Sequence, residues 1–224
     1  MRSPKHRTPR KKRVPSETPG RRQRRSTETR ERLFRSALKL FADKGFAETT
    51  VEDITDAADV GKGTFFNYFP SKEHLLIAFS DMQLSKLQDT VDQMRERPEP
   101  MRSFFRSMTL RMTEEPAKAP DLVRAILQAN LSSSSVRNVM RERNARAEGL
   151  LTQLVRIGQG RGEFRSDLPA LELAQVFRQT IFGTLLMWSV YGDASLAERI
   201  ERAMETLWMG MAPRGPVTTA PPQS

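Results

Sequence analysis

The chain has 224 residues, with 37 Lys and Arg against 27 Asp and Glu, a formal net charge of +10. That length can bury a sizeable core in one or two domains. Cys is absent and His occurs only as His6 and His74. This excludes thiol nucleophiles, Cys-ligated zinc, iron–sulfur clusters and a workable Ser-His-Asp arrangement, so neither a metal nor a cofactor is expected.

The charge is concentrated at one end. Residues 1–25 hold eleven basic residues against Glu17 alone, which leaves the remaining 199 residues formally neutral. A basic arm of this kind reads either as a polyanion-binding element or as a solubilising tail. No apolar stretch follows it, so it does not have the form of a secretory signal. The longest apolar run, Ile181 to Val190, is too short to span a bilayer and is broken by Gly183, Thr184 and Ser189. A cytoplasmic protein is expected.

Eight of the 14 prolines lie near the two ends, and the other six fall between stretches of helical periodicity. No segment alternates with period two, so the chain reads as all-α. The expected organisation is a disordered basic arm at 1–25, an N-terminal helical domain at 26–75, a C-terminal helical domain at 76–211, and a disordered tail at 212–224.

The first helix is expected from about Thr27 to Lys44. It carries the apolar stripe Leu33, Phe34, Ala37, Leu38, Leu40 and Phe41 and ends at Gly45. Thr49 and Thr50 compete to cap a short second helix, Val51 to Ala58, with Glu52 and Asp53 three residues on from each. The turn Asp59-Val60-Gly61 leads to a third helix, Lys62 to Phe69. Pro70-Ser71 stops it and caps a fourth that runs from Lys72 to about Arg95. Two short helices across a three-residue turn, braced by a preceding helix, make a helix-turn-helix. Further helical stretches are expected near 100–114, 120–131, 136–160, 168–191 and 194–211.

Within the third helix, Phe65 and Phe69 fall 40° apart at 100° per residue, on the side that faces the Leu33, Phe34, Phe41 and Ile54 stripe. Gly63, Thr64 and Asn67 lie opposite, flanked by Phe66 and Tyr68. In this reading Thr64 and Asn67 reach base edges and Phe66 makes apolar contact with a thymine methyl. Gly63 allows close backbone approach. Lys62, Tyr68, Lys72 and Thr50 hold phosphates and set register.

The block TRERLFRSALKLFADKGFAETTVEDITDAADVGKGTFFNYFPSKEHLLIAF, residues 29 to 79, resembles the DNA-binding domain of the tetracycline-repressor (TetR) family of bacterial transcription regulators. The later FRQTIFGTLLMWSVYG, residues 177 to 192, resembles more loosely that family's penultimate helix. Asp59 stands where the family's turn usually has Gly, and Gly61 where Ser usually caps the third helix. The resemblance implies an all-α homodimer that binds a double-stranded DNA operator through its N-terminal domains. It also implies a small-molecule effector in the C-terminal domain that alters operator affinity. The positions matching Thr50, Lys62, Gly63, Thr64, Phe66, Asn67, Tyr68 and Lys72 are the ones the family uses at the operator.

The C-terminal apolar positions are rich in Met and Phe, which suits either ordinary bundle core or an adaptable pocket for an apolar or aromatic effector. The pocket candidates are Phe104, Phe105, Met108, Ile126, Met140, Leu154, Phe177 and Ile181, with Arg106, Arg124, Gln128 and Asn130 as possible polar contacts. Thr184, Met187, Trp188 and Tyr191, with Ile200, Met204, Leu207 and Trp208 from the last helix, are the candidates for a four-helix dimer interface. A regulator, most simply a nucleoid-associated repressor, is the reading adopted. The alternative is an interaction module or an enzyme on the same fold without operator binding.

Overall fold

The computed structural model describes residues 20–96, 98–132, 134–192 and 195–213, so most of the basic arm and of the C-terminal tail lie outside the described residues. The described residues form nine α-helices and no strand: α1 (Arg21–Lys44), α2 (Val51–Ala57), α3 (Lys62–Tyr68), α4 (Glu73–Glu96), α5 (Met101–Lys118), α6 (Pro120–Ser132), α7 (Ser134–Gly160), α8 (Ala170–Tyr191) and α9 (Leu196–Met211).

Helix α1 starts six residues before the expected Thr27 and carries the last four arginines of the basic arm. Thr27 does not cap. Its hydroxyl donates to the Gln23 carbonyl and that of Thr29 to the Arg25 carbonyl, one turn back along the same helix. The contest at the start of α2 goes to Thr50, whose hydroxyl accepts from Asp53 N–H while the Asp53 carboxylate accepts from Thr50 N–H. Thr49 is fully buried instead and donates to the Gly45 carbonyl at 2.7 Å. Asp59 takes the left-handed turn position at φ 51°, where a short polar side chain is tolerated at modest cost. Ser71 donates to Glu73 Oε2 at 2.6 Å, so the His74 Nδ1 that lies 3.0 Å from the Ser71 oxygen must be the donor of that pair.

Two apolar clusters hold the molecule together. One joins α1, α2, α3 and the start of α4 to Leu122, Ala125 and Ala129 of α6 and to Val136 and Met140 of α7. This core therefore crosses the boundary expected at residues 75 and 76. The other fills the bundle of α4, α5, α7, α8 and α9 around Met101, Phe105, Leu154, Phe177 and Ile200. At its base Phe164 packs edge-on against Phe105 at 5.3 Å and also against Trp208. Gly158 makes room for it, because a Cβ there would meet the Phe164 ring at 2.3 Å.

Pro116 departs from the expected pattern, since it sits inside α5 rather than between helices. Without an N–H it cannot satisfy the Met112 carbonyl one turn back. The side chain of Gln83 on α4 does so, donating from Nε2 at 2.6 Å. Helix α5 therefore runs on to Lys118, past the expected end at residue 114.

Candidate functional site

The side chains of α3 divide as their helical phase requires. Phe65 and Phe69 are buried, with ring centroids 5.7 Å apart, and the Arg30 guanidinium lies 5.2 Å over the Phe69 ring. Burying one such ring contributes about 1.5–3 kcal/mol. Lys62, Gly63, Phe66 and Asn67 are exposed, and Thr64 and Tyr68 are partly so. The Tyr68 hydroxyl donates to Ser26 Oγ at 3.2 Å, which ties the C-terminal end of α3 to the basic start of α1. The six candidates on α3 thus share one outward surface.

The other two candidates are engaged elsewhere. The Thr50 hydroxyl donates to Asp53 Oδ2 at 2.7 Å, and Lys44 reaches the same oxygen at 2.6 Å. These contacts, that of Lys44 foremost, hold the Asp53 carboxyl well below the usual carboxylate range. A phosphate approaching this helix start would meet a carboxylate already in place. Lys72 differs more sharply from its expected role as a free phosphate contact. Its ammonium donates to the carbonyls of Phe46 at 2.7 Å, Ala47 at 3.2 Å and Thr49 at 2.8 Å, and lies 4.4 Å over the Phe46 ring. Three protons serve three carbonyls, so Lys72 closes the loop between α1 and α2 against the start of α4. Burial pulls it below the usual lysine range, with Glu73 and Glu48 acting in the opposite sense.

A second feature lies in the bundle. An apolar cavity of about 250 Å³, open on one side, lies among α4 to α8. Of the expected pocket residues, Met108, Ile126, Phe177 and Ile181 line it. Phe104, Phe105 and Leu154 are packed into the bundle core instead, and Met140 belongs to the cluster under the helix-turn-helix. None of the polar candidates lines the cavity. Arg106 pairs with Glu201 at the surface, Arg124 pairs with Asp121 and donates to the Ser189 carbonyl, Asn130 donates to the Ile126 carbonyl, and Gln128 is exposed. The lining polar residues are Gln83, Thr109, Thr113 and Arg178. Gln83 was legible as a polar residue between Phe79 and Leu87 at four-residue spacing on α4.

The expected dimer surface splits in two. Met187 and Tyr191 on α8 are 44% and 68% exposed, and Val176 and Val190 on the same helix are exposed as well. Ile200 and Met204 are buried within the protomer, and Trp188, Leu207 and Trp208 pack against the same core. Helix α9 turns that stripe onto α5, with Arg102 bridging to Glu205 at 2.6 Å and Arg106 to Glu201 along its flank. No described helix is long and apolar enough to cross a membrane, and no three acidic or His side chains among the described residues converge on a metal site.

A braced pair of short helices with an exposed α3 face, coupled by α4 to a helical bundle, defines an all-α helix-turn-helix protein. Residues 33–79 match the model of bacterial regulatory proteins, tetR family, and the chain belongs to that family. TcmR, a helix-turn-helix transcriptional regulator of Streptomyces glaucescens, is 48% identical over 59 residues, and the match spans only 26% of this chain and 26% of TcmR. The KstR2 repressor of Mycolicibacterium smegmatis is 25% identical over 185 residues, 81% of this chain and 89% of KstR2. Among solved structures, Thermus thermophilus FadR, a TetR-family transcriptional repressor in complex with lauroyl-CoA, is 28% identical. It matches with a TM-score of 0.62 over 87% of this chain and 99% of FadR.

Proposed function

We propose that the protein is a homodimeric transcriptional repressor that reads an operator with the outward face of α3 and is released by an apolar small molecule held among α4 to α8. The observation that carries this reading is the split of α3. Phe65 and Phe69 anchor it, while Lys62, Gly63, Thr64, Phe66, Asn67 and Tyr68 face outward together. Thr64 and Asn67 can hydrogen-bond to base edges, Phe66 can meet a thymine methyl, and Lys62 and Tyr68 can hold phosphates. Thr50 and Lys72 support this surface by fixing the start of α2 and the start of α4.

Helix α4 links the two features, because Leu75 and Leu76 lie in the cluster beneath α3 while Phe79, Gln83 and Leu87 line the cavity. A ligand that binds one position of α4 better than another shifts the equilibrium between them by that difference in affinity, and the spacing of the reading heads with it. The repressor names of KstR2 and FadR support repression, and the lauroyl chain of the acyl-CoA held by FadR supports an effector with an apolar part. Pairing through the exposed α8 surface supplies the two-fold arrangement that a palindromic operator requires.

The direct test is selection of bound fragments from sheared genomic DNA with the full chain, followed by footprinting. Recovery of a palindromic site protected by wild type, and not by Asn67→Ala, is expected. Failure to enrich any sequence would overturn the reading.

A further inference from the structure

We propose that the cavity among α4 to α8 takes a neutral apolar alcohol or phenol, whose hydroxyl supplies the donor that Gln83 lacks and the acceptor that Arg178 lacks. This rests on the cavity being the effector site, and it specifies the chemistry of the occupant. Four polar residues line the cavity, and two of them are already satisfied internally. The Thr109 hydroxyl turns back to the Phe105 carbonyl at 2.6 Å, and the Thr113 hydroxyl to the Thr109 carbonyl at 2.9 Å.

The other two are not. Gln83 Oε1 and Arg178 Nε are buried without a hydrogen-bond partner among the described residues, and both residues belong to the cavity wall. The orientation of the Gln83 amide is fixed by Pro116. Because the orphaned Met112 carbonyl can only accept, the amide must present its nitrogen there, which leaves the oxygen as the unpaired group. An unpaired buried acceptor and an unpaired buried donor each carry a desolvation penalty that a ligand can relieve.

The charge balance narrows the choice. Arg178 faces Glu148 Oε2 at 3.4 Å, and Gln175 donates to the same oxygen at 3.3 Å, so the guanidinium already has a counter-charge. A carboxylate ligand would gain little from that neutralised pair and would set its own lone pairs against Gln83 Oε1. A thioester or ketone carbonyl can accept from Arg178 but leaves Gln83 unpaired. A hydroxyl group is both donor and acceptor. The remaining wall is aliphatic and aromatic, and its volume exceeds the roughly 150 Å³ that accommodates benzene in an engineered cavity.

Calorimetric titration of the full chain with 1-octanol, 1-decanol and 1-dodecanol, against the matching carboxylates, tests this. The alcohols are expected to bind at least tenfold tighter than the acids of equal length. Gln83→Met and Arg178→Met should each reduce that preference to threefold or less, and a ratio of affinities is insensitive to general loosening of the fold. The wild-type comparison stands even where a variant fails to fold. Acids binding as tightly as alcohols, or a preference that survives both substitutions, overturns the proposal and leaves the effector cavity standing. Binding of neither series overturns both. Alcohol binding without any change in operator affinity supports the ligand class and removes the effector role.

Discussion

Phe65 and Phe66 are neighbours whose rings meet edge-on at 5.4 Å, yet Phe65 is fully buried and Phe66 is 49% exposed. One ring completes the small core of the helix-turn-helix, and the other belongs to the exposed face of α3. Phe65→Ala should therefore destabilise the protein by about 3–5 kcal/mol, through lost burial and the void it leaves. Phe66→Ala should keep its melting temperature and lose sequence preference. Thermal unfolding and competition binding on both variants check this, and equal thermal losses would contradict the division.

Lys72 distinguishes a structural role from a DNA contact. Lys72→Met removes the donor shared by three carbonyls and should destabilise by about 2 kcal/mol. The dependence of operator affinity on salt concentration should stay the same. A phosphate contact would instead reduce that slope by about 0.9 log units.

Asp53 has its folded-state carboxyl held below the usual value of 3.8, chiefly by Lys44 and then by Thr50. A depressed carboxylate contributes stability that is present above its unfolded value and lost as pH falls through the folded one. Stability should therefore decline from about pH 5 downward, and Asp53→Asn should flatten that limb while lowering stability at neutral pH. Denaturant midpoints across the acid range give the measurement, and parallel limbs in the two proteins would argue against this role for Asp53.

The two halves of the expected dimer surface should behave differently. Met187→Arg on exposed α8 should raise the dimer dissociation constant at least tenfold in sedimentation equilibrium without unfolding the protomer. Ile200→Ala, at a buried position, should lower protomer stability by about 2–5 kcal/mol. Loss of association from Ile200→Ala alone would reverse that assignment.

The division of α3 into a buried and an exposed side was legible because the helix is short and its phase is unambiguous: Phe65 and Phe69 could share only one side. The roles of Lys72 and Thr50 were not, since long and capping side chains choose among partners that only the folded chain brings near. In the bundle, Met and Phe spacing marks an apolar interior but not where that interior stays open. Phe105 and Phe177 look alike in sequence, and one fills the core while the other faces the cavity as well. The burial of Ile200 and Met204 on α9 was hidden for a related reason. Its apolar stripe is strong, but the stripe meets α5 of its own protomer before any partner.

The missing amide proton of Pro116 leaves a carbonyl of α5 for Gln83 of α4 to claim, and Arg111 of α5 donates to Thr90 of α4 about two turns further along. Were α4 to slide along its axis by one turn, Gln83 would travel about 5.4 Å and leave the Met112 carbonyl bare. Tilting about Gln83 leaves that bond intact. Glu73, at the end of α4 beside α3, lies ten residues and about 15 Å along the axis from Gln83, so a rotation of α4 about Gln83 would move that end by the full length of this lever.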